Sequence, residues 1–105
     1  LDRIAHAELG PLVTDVEQVG DMRAVGAWAC LEFVTDKTTI RPAPNFQHAV
    51  HLAALQRGVL AISFDDIPLF RMQPPLTMEP DLFAWSCRRV ADAVHEVAAD
   101  PPGES

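Results

Sequence analysis

The segment GAWACLEFV, residues 26–34, has the alternation of a β-strand with two unlike faces. Successive side chains of a strand point to opposite sides, so alternate residues share a face. The face that we expect to lie in the core carries Ala27, Ala29, Leu31 and Phe33. The second face carries Trp28, Cys30 and Glu32 and is too apolar to be left entirely to water, which predicts that a partner covers it.

The segments on either side of this strand alternate between strand and helix patterns. A polar loop with prolines follows it, and then a predicted helix from about Asn45 to Arg57, which Gly58 ends. VLAISF and LFRMQ read as two strands of a hairpin joined by the turn FDDIP. A long helix is predicted from Pro80 to about Ala98, with one apolar stripe consisting of Phe83, Cys87, Val90, Val94 and Val97.

The N-terminal part is predicted to contain a helix and then β-structure. LDRIAHAEL, residues 1–9, has helical periodicity that Gly10 and Pro11 should end. It has no initiator Met, so we interpret it as the end of a truncated helix. LVTDVEQVGDM is β-rich, and Gly20 with Asp21 predicts a bend or bulge there.

This order predicts an α+β fold, a small and largely antiparallel sheet with helices packed on one face. Residues 1–98 would form a single domain, and residues 99–105, ADPPGES, a flexible tail.

Composition excludes several classes of partner. A formal net charge of −7, with seven Arg and one Lys scattered along 105 residues, disfavours nucleic acid and anionic membranes. No apolar run approaches the roughly 20 residues of a membrane span, and no signal-peptide pattern is visible, so we expect a cytoplasmic protein. Cys30 and Cys87 fall in apolar patterns without a CxxC motif and are predicted to be reduced core residues.

Several polar pairs have simple structural interpretations. His48 and His51 have a spacing that two metal ligands could use, but no third ligand is identifiable and solvated histidines are favoured. Asp65 and Asp66 precede Ile-Pro and are most simply turn residues rather than half of a carboxylate site.

A further acidic group, consisting of Asp15, Glu17 and Asp21, is interpreted as a charged sheet edge. Trp28 and Trp85 are interpreted as core or domain-interface residues rather than stacking platforms.

Arg71 ends an apolar strand immediately before the double proline of LFRMQPPL. An arginine there needs water, a carboxylate or a ligand beside its guanidinium, because burying an unpaired charge is costly. From the residues alone, a solvated or ion-paired arginine is the commoner outcome.

Three segments together resemble one enzyme family. VGDMRAVGAWACLEF, QRGVLAISF and LFRMQPPLTMEPDLF follow one another as similar segments do in the C-terminal domain of class III pyridoxal-phosphate-dependent aminotransferases, such as 4-aminobutyrate and acetylornithine aminotransferases. The resemblance extends over nearly the whole chain. Ala24 and Gln73 depart from the family pattern, so substrate specificity is not carried over.

The resemblance implies a fold type I enzyme that transfers an amino group between an amino acid or amine and a 2-oxo acid. The small C-terminal domain would pack against a large pyridoxal-phosphate-binding domain of the same chain, in a homodimer. Arg71 matches the arginine that binds the substrate carboxylate, or that a glutamate of the large domain holds until substrate arrives. A planar guanidinium suits this role because it can take a carboxylate bidentately.

Within this segment no catalytic, cofactor-binding or metal-binding residue is predicted. The only lysine, Lys37, lies in the polar turn TDKTT, where we expect it to be exposed and mobile, and no Gly-rich phosphate loop is present. The segment alone is therefore predicted to be inactive. A free-standing α+β ligand-binding or regulatory domain is the alternative, as is a mutase or racemase of the same fold.

Overall fold

The computed structural model describes residues 2–25, 28–64, 67–72 and 78–104. Its elements, in chain order, are α1 (Asp2–Leu9), α2 (Pro11–Asp15), β1 (Val19–Val25), β2 (Trp28–Phe33), α3 (Pro44–Gln56), β3 (Ile62–Phe64), β4 (Ile67–Met72) and α4 (Pro80–Ala99). Leu1, Ala27, the pair Asp65 and Asp66, and the segment from Gln73 through the double proline lie outside the described residues, together with what was predicted for them.

The four strands form one sheet in the order β1-β2-β4-β3, and each pair of neighbours is antiparallel. α3 lies between β2 and β3 in the chain, and it contacts β2, β3 and β4. α1 and α2 contact β1, and α4 packs on both α1 and α3. The predicted α+β class and the β3–β4 hairpin are confirmed.

The core lies between one face of the sheet, which we call the covered face, and the helices. From the two central strands it receives Ala29, Leu31, Phe33, Phe70 and Met72, all of them buried. The ring of Phe33 lies 5.2 Å from that of Phe46 on α3 and 5.8 Å from that of Phe70, between centroids. Tilted and edge-on contacts of this kind are favourable aromatic geometries.

The N-terminal prediction was partly wrong. Residues 12–18 were expected to be β-rich, but α2 occupies Pro11–Asp15, and β1 begins only at Val19. α1 ends at Leu9, as predicted, but the backbone of Gly10 is helical (φ −54°, ψ −42°), its N–H donates to His6 O at 3.0 Å, and α2 begins at the next residue. Pro11 suits the first helical position, and Leu12 and Val16, one helical turn apart, are both buried.

The predicted irregularity in β1 is confirmed. The pairing register with β2 shifts between Val19 and Asp21, as expected for a bulge. Gly20 lies at the shift, where a Cβ would stand 2.9 Å from Val34 Cγ1. A side chain at this position would therefore need Val34 to move.

The C-terminal tail contacts the start of α3. That helix has no side-chain cap at Ala43, and the carboxylate of Glu104 accepts hydrogen bonds from the backbone N–H groups of Asn45 (3.0 Å) and Phe46 (2.9 Å). The Asn45 side-chain amide donates to Gly103 O at 2.8 Å. Free N–H groups at a helix start need acceptors, and Glu104 supplies one for each of these two. The flexibility of the tail in solution stays a prediction.

Among the described helices, none is both long enough and apolar enough to cross a membrane.

Candidate functional site

A row of four side chains crosses the face of the sheet opposite the core, which we call the open face. Arg23 pairs with Cys30, Cys30 with Arg71, and Arg71 with Ile62. Directly paired residues of antiparallel strands lie on the same side of the sheet, so two arginines flank one cysteine on this face.

Arg23 has its counter-ions within this chain. Its Nη2 donates to Glu32 Oε1 at 3.0 Å, and its Nε lies 3.4 Å from Asp21 Oδ2. All three side chains are about half exposed, so the pairs contribute about 0–1 kcal/mol. These contacts give Arg23 a structural role within the β1–β2 pair.

Arg71 differs from Arg23 in having no counter-ion among the residues that the structure describes. The residue is partly buried, and its Nε is buried without a hydrogen-bond acceptor among the described residues. A buried donor without an acceptor costs about 1–3 kcal/mol, and more when the group is charged. The part of the chain that the structure describes therefore supplies no carboxylate for the guanidinium of Arg71.

Cys30, between the two arginines, is suited to packing rather than to nucleophilic chemistry. Only 2% of its surface is exposed. Burial raises the pKa of its thiol, and the positive charges of Arg23 and Arg71 only partly oppose that rise. In the core, burial raises the pKa of the Cys87 thiol to about 12. Both cysteines are free and buried, as predicted.

Large apolar side chains accompany the row on the open face. Trp28 is 40% exposed, Ile62 37% and Ile67 46%. Residues of alternating position on β2 and β4 share this face, which places Trp28 with Cys30 and Ile67 with Arg71. The predicted apolar second face is therefore present in the structure, and the partner that would cover it stays a prediction.

Lys37 is held in place, contrary to the expectation of a mobile side chain. Its Nζ donates to the backbone carbonyls of Val16, Glu17 (3.2 Å) and Val19 (3.0 Å). Its own N–H donates to Glu17 Oε2 at 2.9 Å. An ammonium group has three donors, and all three are used here to join the loop after β2 to the chain before β1. Lys37 is thus a structural lysine.

The remaining candidates do not assemble into a site. Among residues 2–25, 28–64, 67–72 and 78–104, no group of three or more His, Cys, Asp or Glu side chains could hold a metal ion. His51 Nδ1 is buried with no hydrogen-bond partner in the described part of the chain, while His48 is exposed. Trp85 lies on α4, 36% exposed, with the guanidinium carbon of Arg89 5.0 Å from its ring centroid.

Gln47 is a buried polar residue, which was not predicted from the sequence. It lies on α3 with only 2% of its surface exposed, and its side-chain amide donates to the hairpin of β3 and β4. The available signal was its spacing, because Gln47 shares the buried stripe of α3 with Val50 and Ala54. A glutamine within an apolar stripe indicates a buried acceptor or donor nearby.

Comparison with known proteins finds that the chain is similar to a part of several aminotransferases. No family model matches the sequence. The chain is 35% identical, over 95% of its length, to the adenosylmethionine-8-amino-7-oxononanoate aminotransferase of Nitratidesulfovibrio vulgaris, of which it spans 19%. The crystal structure of the enzyme of that name from Methanocaldococcus jannaschii matches 90% of the chain with a TM-score of 0.77 and 26% identity.

A thermostable omega transaminase from Pseudomonas jessenii, in a 6-fold mutant form, has the same fold over 93% of the chain, with a TM-score of 0.82 and 19% identity. In both solved structures the match covers 22% of the neighbour's chain. This chain is therefore similar, over nearly its whole length, to about a fifth of an aminotransferase, which confirms the resemblance of its three sequence segments.

Proposed function

We propose that this chain is the C-terminal domain of a class III pyridoxal-phosphate-dependent aminotransferase and that its Arg71 binds the carboxylate of the substrate. The observation that carries the proposal is the buried Nε of Arg71, which lacks an acceptor among the described residues, while Arg23 in the same row has two carboxylates. The relatives named above are aminotransferases and transaminases, which favours this activity over a mutase, a racemase or a free-standing binding domain.

Arg71 has the properties that carboxylate binding requires. The guanidinium presents two parallel N–H groups to a carboxylate, and each charge-assisted bond contributes about 1.5–3 kcal/mol. β4 pairs with strands on both sides at Arg71, with Cys30 on one and Ile62 on the other. A side chain on a central strand is held more firmly than one on a loop, so the guanidinium would meet the substrate with little reordering.

The residues described here do not fit pyridoxal phosphate itself. The cofactor needs a lysine amine, an acidic partner for its pyridine nitrogen and a cradle for its phosphate. The Lys37 ammonium is occupied by three carbonyls, and no helix start or loop among the described residues presents a glycine-rich cradle. We propose that a large domain outside this segment binds the cofactor, and no chemical step is assigned to the residues described here.

The open face is the surface that we propose for contact with that large domain. Trp28, Ile62 and Ile67 would lose their water-exposed apolar area there, which favours association at about 25 cal/mol per Å². A homodimeric enzyme is part of the proposal by its resemblance to the family. A cytoplasmic location is also proposed, and the two free, buried cysteines are in keeping with a reducing compartment.

The proposal is tested in the full-length protein with Arg71→Leu and, as a matched control from the same row, Arg23→Leu. Each variant is assayed with a carboxylated amino donor and with the corresponding amine that lacks the carboxylate. Loss of a bidentate contact should raise KM for the carboxylated donor about 10–100-fold in Arg71→Leu and leave KM for the amine nearly unchanged. Arg23→Leu should affect both donors little.

Equal effects of Arg71→Leu on both donors would assign Arg71 a structural role. A separate assay addresses the division between domains, because residues 1–105 alone should show no transamination with added pyridoxal phosphate. Measurable turnover by this segment would contradict the proposal.

A further inference from the structure

The hairpin that carries Arg71 contains an irregularity. Ser63 pairs with Phe70, and the next residue of β3, Phe64, pairs with Ile67. One step along β3 therefore spans three steps along β4, so that Pro68 and Leu69 lie between the paired positions. Pro68 has no N–H to contribute to the ladder, and bulges of this kind leave backbone groups that need other partners.

Gln47 supplies those partners from α3. Its Nε2 donates to Ile67 O at 2.9 Å and to Leu69 O at 3.3 Å, the carbonyls on either side of Pro68. The same nitrogen lies 3.1 Å from Ser63 Oγ on β3. One buried amide thus contacts both strands at the point where their register changes.

The register of β4 decides which face Arg71 occupies. Arg71 follows Leu69 by two residues, while its neighbours Phe70 and Met72 are buried on the covered face. A shift of one residue along a strand moves every side chain to the opposite face. A slip at the bulge would turn Arg71 toward the core and bring Phe70 to the open face.

We propose that Gln47 is a positioning residue that fixes the register of β4 and so holds Arg71 on the open face. The consequence for catalysis rests on the proposed function of Arg71, whereas the effect on register does not. We propose that Gln47 acts through its bonds to the hairpin, the two carbonyls of β4 and the Ser63 hydroxyl of β3, rather than by contact with substrate.

The test compares Gln47→Met with Gln56→Met in the full-length protein. Methionine keeps the length of glutamine and removes the amide donor, and Gln56 is an exposed glutamine on the same helix. Hydrogen exchange of residues 62–72 measures the hairpin directly. Gln47→Met should accelerate exchange there about tenfold or more, and Gln56→Met should not change it.

A second readout separates positioning from general stability. With Arg71 displaced in part of the molecules, KM for a carboxylated donor should rise several-fold in Gln47→Met, while kcat per folded enzyme and KM for the amine stay near those of Gln56→Met. Unchanged exchange of residues 62–72 in Gln47→Met would overturn the inference, whatever the kinetics show. Failure of Arg71→Leu to distinguish the two donors would instead remove the proposed function and leave the exchange result to decide the role of Gln47.

If Gln47→Met does not fold, Ser63→Ala provides the milder variant, because it removes one acceptor and leaves both carbonyls. Exchange of residues 67–72 should then rise a few-fold relative to Gln56→Met. Exchange equal to that of Gln56→Met would overturn the inference.

Discussion

The two faces of the sheet differ in how far the described residues bury their apolar side chains and pair their polar groups. On the covered face, Phe33 and Phe70 are enclosed by helices of the same chain, and each is 1% exposed. On the open face, Trp28 is 40% exposed and Arg71 Nε has no acceptor among the described residues. The difference shows that helices of this chain complete the core on the covered face, while the open face has exposed apolar area and a buried donor for which the described residues supply no acceptor.

The same difference exists within the open face. Arg23 and Arg71 both pair with Cys30 across the sheet, one from each side. β1 and β2 provide Asp21 and Glu32 for Arg23, but the described residues of β3 and β4 carry no acidic side chain beside Arg71. The charges of Arg23 are therefore matched within the β1–β2 half, and we propose that the β4–β3 half faces a ligand or partner.

The largest predicted effect is on the free energy of unfolding, which a substitution on the covered face should lower far more than one on the open face. Phe33→Ala removes a ring that contacts both Phe46 and Phe70, and we expect a loss of about 3–5 kcal/mol in the free energy of unfolding. Trp28→Ala on the open face should cost about 1 kcal/mol, since much of the ring is already in water. Urea unfolding of this chain measures both. Equal costs would mean that the open face is part of the core.

Sequence patterns predicted the faces well because burial imposes period two on a strand. Ala29, Leu31 and Phe33 alternate with Trp28 and Cys30, and that alternation is itself the consequence of one face meeting helices. The helix at Pro11–Asp15 was missed for the opposite reason. Its β-branched residues favour a strand locally, and the burial of Leu12 against the rest of the protein outweighs that preference.

The state of Arg71 could not be predicted from the sequence without the family resemblance. Whether an arginine on a strand has a carboxylate depends on which residues stand across from it, and strand register is a property of the folded sheet. Asp21 precedes Arg23 by two residues in the sequence, but the opposition of Arg23 and Glu32 on neighbouring strands is seen only in the folded sheet. The hydrogen bonds of Gln47 could not be predicted from the sequence for the same reason, because its acceptors lie 16 to 22 residues further along the chain.

A smaller loss of stability is expected from a substitution at the start of α3, one of the helices that pack on the covered face. Glu104→Ala removes the acceptor of two N–H groups at the start of α3, and we expect it to destabilise the chain by about 1 kcal/mol. Glu104→Gln keeps one acceptor oxygen and should cost about half as much. Urea unfolding together with hydrogen exchange of residues 44–47 checks both variants. If Glu104→Ala did not lower the free energy of unfolding, the tail would be flexible in solution, as the sequence suggested.

The smallest change in the free energy of unfolding is expected for substitution of the two arginines. What matters for the comparison is which substitution destabilises the chain and which does not. Arg23→Met loses exposed ion pairs and should cost up to about 1 kcal/mol, less at high salt because surface pairs are screened. Arg71→Met should be neutral or slightly stabilising in urea unfolding of this chain, because it replaces a buried donor that has no acceptor among the described residues with an apolar side chain beside Ile62. Arg23 would then contribute more to stability, whereas Arg71 is the one proposed to matter for function in the full-length enzyme. If Arg71→Met cost more than Arg23→Met, Arg71 would have a partner within this chain, and its guanidinium would already be satisfied before any substrate arrives.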